Sequence, residues 1–344
     1  MSRSRSSRSS KPESDAAAER RPTLLDVARR AGVSRATASL VIREAQGPSA
    51  RSRERVWQAA SELGYRPDPT AQLLRRRHSR LLGVMFSARD PFHADLIESI
   101  YAATEEAGYE VVLSAIVPTR GEKRALDSLI ASRCEALILL GAHEACATDV
   151  GVPVVEIGRP LDESRCDAVH TADDEGAGQA VDHLVSLGHR DIVHVDGGDA
   201  AGAAQRRSGY LEAMRRHGLE SRSRVLPGDH TEMSGSAAAR ALLDGGELPT
   251  AVFASNDQCA VGVLDELRRA GIDVPGQVSI VGYDDSHLAR LAHVDLTTVR
   301  QDAPQLAGLA VRAAVERLDG GPDDAPRVFR IAPLLVVRGT TGPA

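Results

Sequence analysis

The residues from Ser34 to Arg43 (SRATASLVIR) are of types suited to gripping a polyanion. Read as a helix, the run turns Ala38, Val41 and Ile42 inward and leaves Arg35, Ala36, Ser39, Leu40 and Arg43 on the opposite face. An α-helix can enter the major groove of DNA. There an arginine donates two hydrogen bonds to guanine, and small neighbours permit close approach. The same pattern would also serve an ordinary αα-corner in a helical domain, so the elements around it matter.

Just upstream, Thr23-Leu24-Leu25-Asp26 has the spacing of a capping box. It opens a helix whose Leu24, Val27, Ala28 and Ala31 share one face, and Gly32 ends it. Ser34 can then cap the second helix after a tight turn, with Val33 filling the corner: a helix-turn-helix. A third helix is expected from Arg53 to Leu63, with Val56, Trp57, Ala60 and Leu63 inward. Beyond the proline-stiffened Tyr65-Arg66-Pro67-Asp68-Pro69, the run TAQLLRRR is too short to be a stable helix alone. It reads as a charged linker, or as a hinge that becomes helical only against DNA. Residues 1–21 are too poor in apolar side chains to fold and read as a basic disordered arm.

Charge sharpens the reading. The chain of 344 residues carries a net −6, but residues 1–80 hold 18 Lys and Arg against 8 Asp and Glu, and the rest 24 against 40. A basic head on an acidic body suits nucleic acid, drawn to one end and repelled by the other. From Leu81 the texture changes to apolar runs such as LLGVMF, ALILL, AVFA and VSIVGY. Between them lie helical stretches that stop on Gly108, Gly188, Gly218 and Gly271. Strand and helix in alternation predict an α/β body with parallel sheets, long enough for two lobes. No apolar window is long enough to span a membrane, and the start is no secretory signal, so a cytoplasmic protein is expected. Cys134, Cys146, Cys166 and Cys259 show no paired spacing and read as small hydrophobes in a reducing compartment.

Catalytic motifs are missing: there is no GxxxxGK[ST] loop, no HExxH and no GxSxG. Gly176-Ala177-Gly178 lacks the third glycine of a dinucleotide fingerprint and reads as close helix packing. His183, His189 and His194 are irregularly spaced and read as structural. No enzyme, no metal and no cofactor are expected.

The run TLLDVARRAGVSRATASLVIR and the Tyr-x-Pro…Ala-Gln-x-Leu hinge resemble the LacI/GalR-type family of bacterial transcription regulators. The resemblance continues through DDEGAGQAVDHLVSLGHRDI, RRSGY, PTAVFASNDQCAVGVL, VPGQVSIVGYDDS, LTTVRQD and LLVVRGTT, covering about residues 22–341. It implies a small all-α helix-turn-helix head (22–66), a hinge (67–80) and a two-lobed, type I periplasmic-binding-protein-like body (81–341). The amino lobe would take 81–171 and 302–327, and the carboxyl lobe 172–301 and 328–341.

By motif position, Ser34, Arg35, Ala36, Thr37, Ser39, Leu40 and Arg43 would meet operator DNA, with Ala71 and Leu74 from the hinge. Leu74 would be an apolar wedge in the minor groove. Leu40 stands where a polar reader is common, Arg43 and Asp68 replace asparagines, and Ala38 replaces a valine. Phe92, Arg206, His230, Asn256, Asp257 and Asp284 would hold an effector between the lobes. Short carboxylates, an amide and an arginine fork suit a many-hydroxyl ligand such as a sugar. His230 takes the place of an aromatic stacking surface. The implied function is a repressor acting on double-stranded operator DNA in the nucleoid, switched by a small molecule. A purine co-repressor is the variant within the class, and a transport-type binding protein the variant outside it. The chain runs only three residues past LLVVRGTT, so a homodimer without a further tetramerisation helix is expected.

Overall fold

The computed structural model describes residues 22–43, 45–65, 78–141, 150–158, 166–320 and 325–344. The arm (1–21), Asp68, Ala71, Leu74, Arg75, Arg76, Arg77 and Cys146 lie outside the described residues. The chain divides into two compact units, Met1–His78 and Ser79–Ala344.

In the first unit, α1 (Leu24–Ala31), α2 (Arg35–Ile42) and α3 (Ala50–Glu62) bury Val27, Ala28, Ala31, Ala38, Val41, Val56, Ala59 and Ala60 against one another. The capping box forms: Thr23 Oγ1 accepts from the Asp26 N–H, and the Thr23 N–H donates to Asp26 Oδ2 at 2.8 Å. Gly32 ends α1 at φ 60°, a left-handed conformation that glycine adopts at no steric cost. The turn is then locked from α3, where Arg55 Nη2 donates to the carbonyls of Ala31 and Gly32. Trp57 differs from expectation. Helix α3 starts at Ala50, its inward positions are Val56, Ala59 and Ala60, and the indole sits at the rim, 45% exposed.

The second unit holds two six-stranded sheets. In the amino lobe, β1 (Leu81–Ser87), β2 (Glu110–Ile116), β3 (Ala136–Leu140), β4 (Val154–Ile157), β5 (Asp167–Thr171) and β11 (Val328–Ile331) pair in parallel in the order β11-β5-β4-β3-β1-β2. Helices α4 (Phe92–Ala107) and α10 (Ala303–Leu318) cover one face through Leu96, Ile100, Leu306 and Ala310. Helix α5 (Glu122–Ala131) covers the other through Ala125 and Leu129.

The carboxyl lobe sheet runs β12-β10-β9-β8-β6-β7. It is built from β6 (Ile192–Val195), β7 (Arg224–Leu226), β8 (Ala251–Ala254), β9 (Ser279–Asp284), β10 (Thr297–Arg300) and an antiparallel β12 (Leu334–Val336). Helices α6 (Asp173–Ser186) and α7 (Ala203–Arg216) pack on one face, and α8 (Glu232–Asp244) and α9 (Asp257–Arg269) on the other. Gly176 serves close packing, since a Cβ there would overlap the Tyr283 hydroxyl.

Three segments cross between the lobes, after β5, β10 and β11. The last crossing falls later than the sequence suggested. Residues 328–331 belong to the amino lobe, because β11 pairs with β5 and buries Ile331 in that core. The carboxyl lobe regains the chain only at β12. The cysteine reading also needs correction. Cys134 and Cys259 are free and buried, but Cys166 is disulfide-bonded, its partner lying outside the described residues.

Helices α8 and α9 approach through glycines: a Cβ on Gly262 would overlap the Glu232 carbonyl, and one on Gly235 the Cys259 carbonyl. Overpacking of this kind costs about 1–3 kcal/mol. Gly262→Ala is therefore expected to lower the urea midpoint of the body, and an unchanged midpoint would show that the helices can simply move apart.

Candidate functional site

The second helix of the head presents a distinct outer face. Ser34 caps it, its Oγ accepting from the Thr37 N–H at 3.0 Å. Arg35, Ala36 and Arg43 are exposed, and Thr37, Ser39 and Leu40 are half-buried. Arg43 Nε folds back on the Ser39 carbonyl at 3.1 Å, ending the helix. Seven predicted DNA-facing residues thus share one short helix and its two caps, and the two buried residues beneath are Ala38 and Val41.

In the body, a cavity of about 540 Å³ opens between the lobes at the carboxyl ends of their strands. That is where ligands settle in open α/β sheets. At its floor stands Arg206 of α7, 3% exposed. Its Nε donates to Asp173 Oδ1 at 2.8 Å and its Nη1 to the Ser255 carbonyl at 2.6 Å. The guanidinium lies 3.8 Å from the centre of the Tyr283 ring, and Asp284 Oδ1 is 3.6 Å from Nη1. Burial disfavours the charge, but Asp173 and Asp284 outweigh burial and hold the group above its ordinary value. Burial likewise holds the Asp284 carboxyl well above the usual carboxylate range, with Arg206 opposing and Asp257 and Asp90 reinforcing. Asp284 is aimed by a left-handed backbone (φ 112°) and by Gln301 Nε2, which donates to Oδ1 at 2.7 Å.

The walls are mixed. Phe92 lies at the start of α4, its N–H donating to Asp90 Oδ1 at 2.9 Å. His93 Nδ1 lies 3.0 Å from the Ser87 N–H and 3.3 Å from the Ser87 carbonyl, and its Nε2 lies 3.6 Å from Asp90 Oδ2. His230 sits in a left-handed conformation (φ 64°) over Gly197, where any Cβ would strike its ring. Asn256 caps α9 through Oδ1 and gives Nδ2 to the His230 carbonyl at 3.1 Å.

Phe92, Arg206, His230, Asn256 and Asp284 all line the cavity. Asp257 does not. It is 1% exposed behind the wall, accepting from the Ser286 N–H at 2.7 Å, Ser286 Oγ at 2.9 Å and Thr298 Oγ1 at 2.5 Å. As the first residue of α9 it faces the sheet, so it positions the loop after Asp284 instead of touching the cavity. Sequence reading missed Asp90, His93, Asp173 and Gln301, which also line it. Asp173 is one of three consecutive acids, and only the start of α6 decides which faces inward. Gln301 lies on a crossing segment, and the pattern of apolar residues marks no such position.

Residues 23–68 match the family described as bacterial regulatory proteins, lacI family, and residues 181–341 match the periplasmic binding protein-like domain. The body is similar to a LacI transcriptional regulator from a Rhodococcus species, 48% identical over 76% of this chain and 98% of that one, with a TM-score of 0.73. A lac repressor dimer bound to operator and the anti-inducer ONPF is 29% identical over 94% of this chain and all of that one, TM-score 0.81. A complex of the transcriptional regulator CelR with cellobiose is 32% identical over 93% of this chain and all of that one, TM-score 0.68. The chain belongs to the lacI family of bacterial regulatory proteins. It is a DNA-binding transcriptional regulator whose body receives a small-molecule ligand.

Two histidines by the cavity floor carry a pH consequence. Burial pushes His194, stacked between Tyr210 and Phe253, down to about 4, and His230 down to about 3. Folded values below the unfolded 6.5 mean that the unfolded chain takes up protons first. Their contribution is full above pH 6.5 and is lost as pH falls towards the folded values. Asp257, pushed up to about 7 by burial, has the opposite sign. His194→Phe is accordingly expected to flatten the fall in unfolding free energy between pH 6.5 and 4, measured by urea denaturation, by on the order of 3 kcal/mol. An identical slope in both proteins would contradict a neutral, buried His194.

Proposed function

We propose that this regulator is a repressor that binds a palindromic operator as a homodimer in the cytoplasm, on the nucleoid, and is released by a sugar held between the lobes. The cavity around Arg206 carries the sugar reading. A charged fork, the Asp284 and Asp90 carboxylates, the Asn256 amide and imidazoles offer many hydrogen bonds to a compact polyol. Phe92 and the neutral His230 ring supply flat surfaces for its apolar face. The solved relative with cellobiose supports the same class of ligand. In the head, Arg35 and Arg43 would read bases, Ser34, Thr37 and Ser39 would position the helix, and Ala36 with Leu40 would make apolar contacts. Ala71 and Leu74 complete the proposed operator contact from the hinge. A dimer matches operator symmetry, as in the lac repressor complex.

A thermal-shift screen of the full chain against sugars, sugar phosphates and nucleobases tests the ligand class. A ligand at 100 times its Kd adds about 2.7 kcal/mol to stability. A sugar response that Asp284→Ala abolishes, with operator affinity kept, is the expected outcome. A nucleobase that stabilises the protein and tightens operator binding would instead make it a co-repressor system. Arg35→Ala should cost about 1–3 kcal/mol at one operator base pair and little on unrelated DNA. Equal loss on both would remove the second helix from base reading.

A further inference from the structure

Beside the crossing segments, Arg330 of β11 pairs with Asp174 (2.6 Å) and Glu175 (3.0 Å) at the start of α6. A further ion pair joins the two lobes away from those crossings and from the ligand contacts. Asp95, in the first turn of α4, places Oδ2 3.5 Å from Nη2 of Arg290 in the carboxyl lobe. That oxygen is buried and accepts no hydrogen bond among the described residues. The same guanidinium donates through Nε (3.2 Å) and Nη2 (2.6 Å) to the carbonyl of Asp285, the residue that follows the ligand-facing Asp284. Asp285 is itself buried in a left-handed conformation (φ 52°) and held by Arg300 at 2.7 Å and Arg338 at 2.5 Å. Arg290 therefore has one side on the backbone that aims Asp284 and the other on the amino lobe.

The position of the pair gives it leverage. The crossing strands of the amino lobe are β5 and β11, and α4 enters from β1, three strands beyond β5. At about 4.8 Å per strand that is ~14 Å from β5. A tie there resists rotation of the lobes about their crossings far better than one beside them. Phe92, His93 and Leu96, on both sides of Asp95, line the cavity. We propose that Asp95 and Arg290 form a latch between the lobes, a positioning pair that links the relation of the lobes seen here to the aim of Asp284.

Burial raises the Asp95 carboxyl above its ordinary range, while Arg290 and His287 work against burial. A lobe movement that withdrew Arg290 would leave this carboxylate half-desolvated and unpaired, which penalises intermediate positions. The inference rests on the reading of the cleft as the effector site. Its test uses no ligand, so it fails or stands separately from that reading.

Hydrogen exchange of the full-length protein without ligand reads the latch. Reporter amides are available on both sides: Phe92 and His93 in the amino lobe, Ser286 and Ala289 in the carboxyl lobe. Asp95→Asn should speed exchange by about threefold in both segments while β3 and β8 exchange as before. Asp95→Glu, which keeps the charge, should stay close to the parent. Faster exchange around residue 92 alone would overturn the latch, as would no change in either segment. An equal acceleration in Asp95→Glu and Asp95→Asn would also overturn it, because packing and not charge would then hold the lobes.

Discussion

Burying a guanidinium costs several kcal/mol unless its hydrogen bonds and its charge are both answered, and Arg206 is answered from four directions. Asp173 comes from the start of α6, the Ser255 carbonyl from the end of β8, and Tyr283 and Asp284 from the end of β9. One buried charge therefore ties two helices and two strand ends together at the cavity floor. The neighbouring glycines follow from it. A Cβ at Gly202 would press on Asp173 and Arg206, and one at Gly176 on the Tyr283 hydroxyl. Of the two acidic partners of Arg206, Asp284, which lines the cavity, lies farther away, at 3.6 Å against 2.8 Å for Asp173.

The same economy of contact governs the head, where α1, α2 and α3 make a core of valines and alanines. Such small side chains bury little area each, so the turn geometry must be exact in other ways: Gly32 for the left-handed step, Ser34 for the cap, and Arg55 bracing the turn. Those features leave Arg35 exposed on the outer face of α2, where the proposed reading of DNA would use it, whereas Arg43 also closes the end of the helix.

Much of this was legible in the residues. The capping box, the inward Ala38 and Val41, and the buried strands of both lobes follow from periodicity and local chemistry, which act over a few residues. What was not legible depends on distant partners. Trp57 faces the rim because Ala59 takes the inward place, a matter of where α3 begins. Strand β11 joins the amino lobe because β5 leaves it a free edge. Asp257 and Asp284 share a residue type and similar motif standing, yet only three-dimensional placement puts one behind the wall and the other in the cavity. The disulfide of Cys166 has no sequence spacing that marks it.

A regulator of this design converts ligand binding in the body into operator affinity in the head, and the conversion is a single coupling free energy. A coupling of about 1–3 kcal/mol changes affinity some 5–150-fold, and it must act equally in both directions. The decisive measurement is a pair of calorimetric titrations of the stabilising sugar into the dimer, with and without saturating operator DNA, beside operator titrations with and without that sugar. Operator is predicted to weaken sugar binding by the same factor by which sugar weakens operator binding. A sugar that binds tightly in the cleft with one affinity, whether or not operator is present, would contradict the regulatory role of the site.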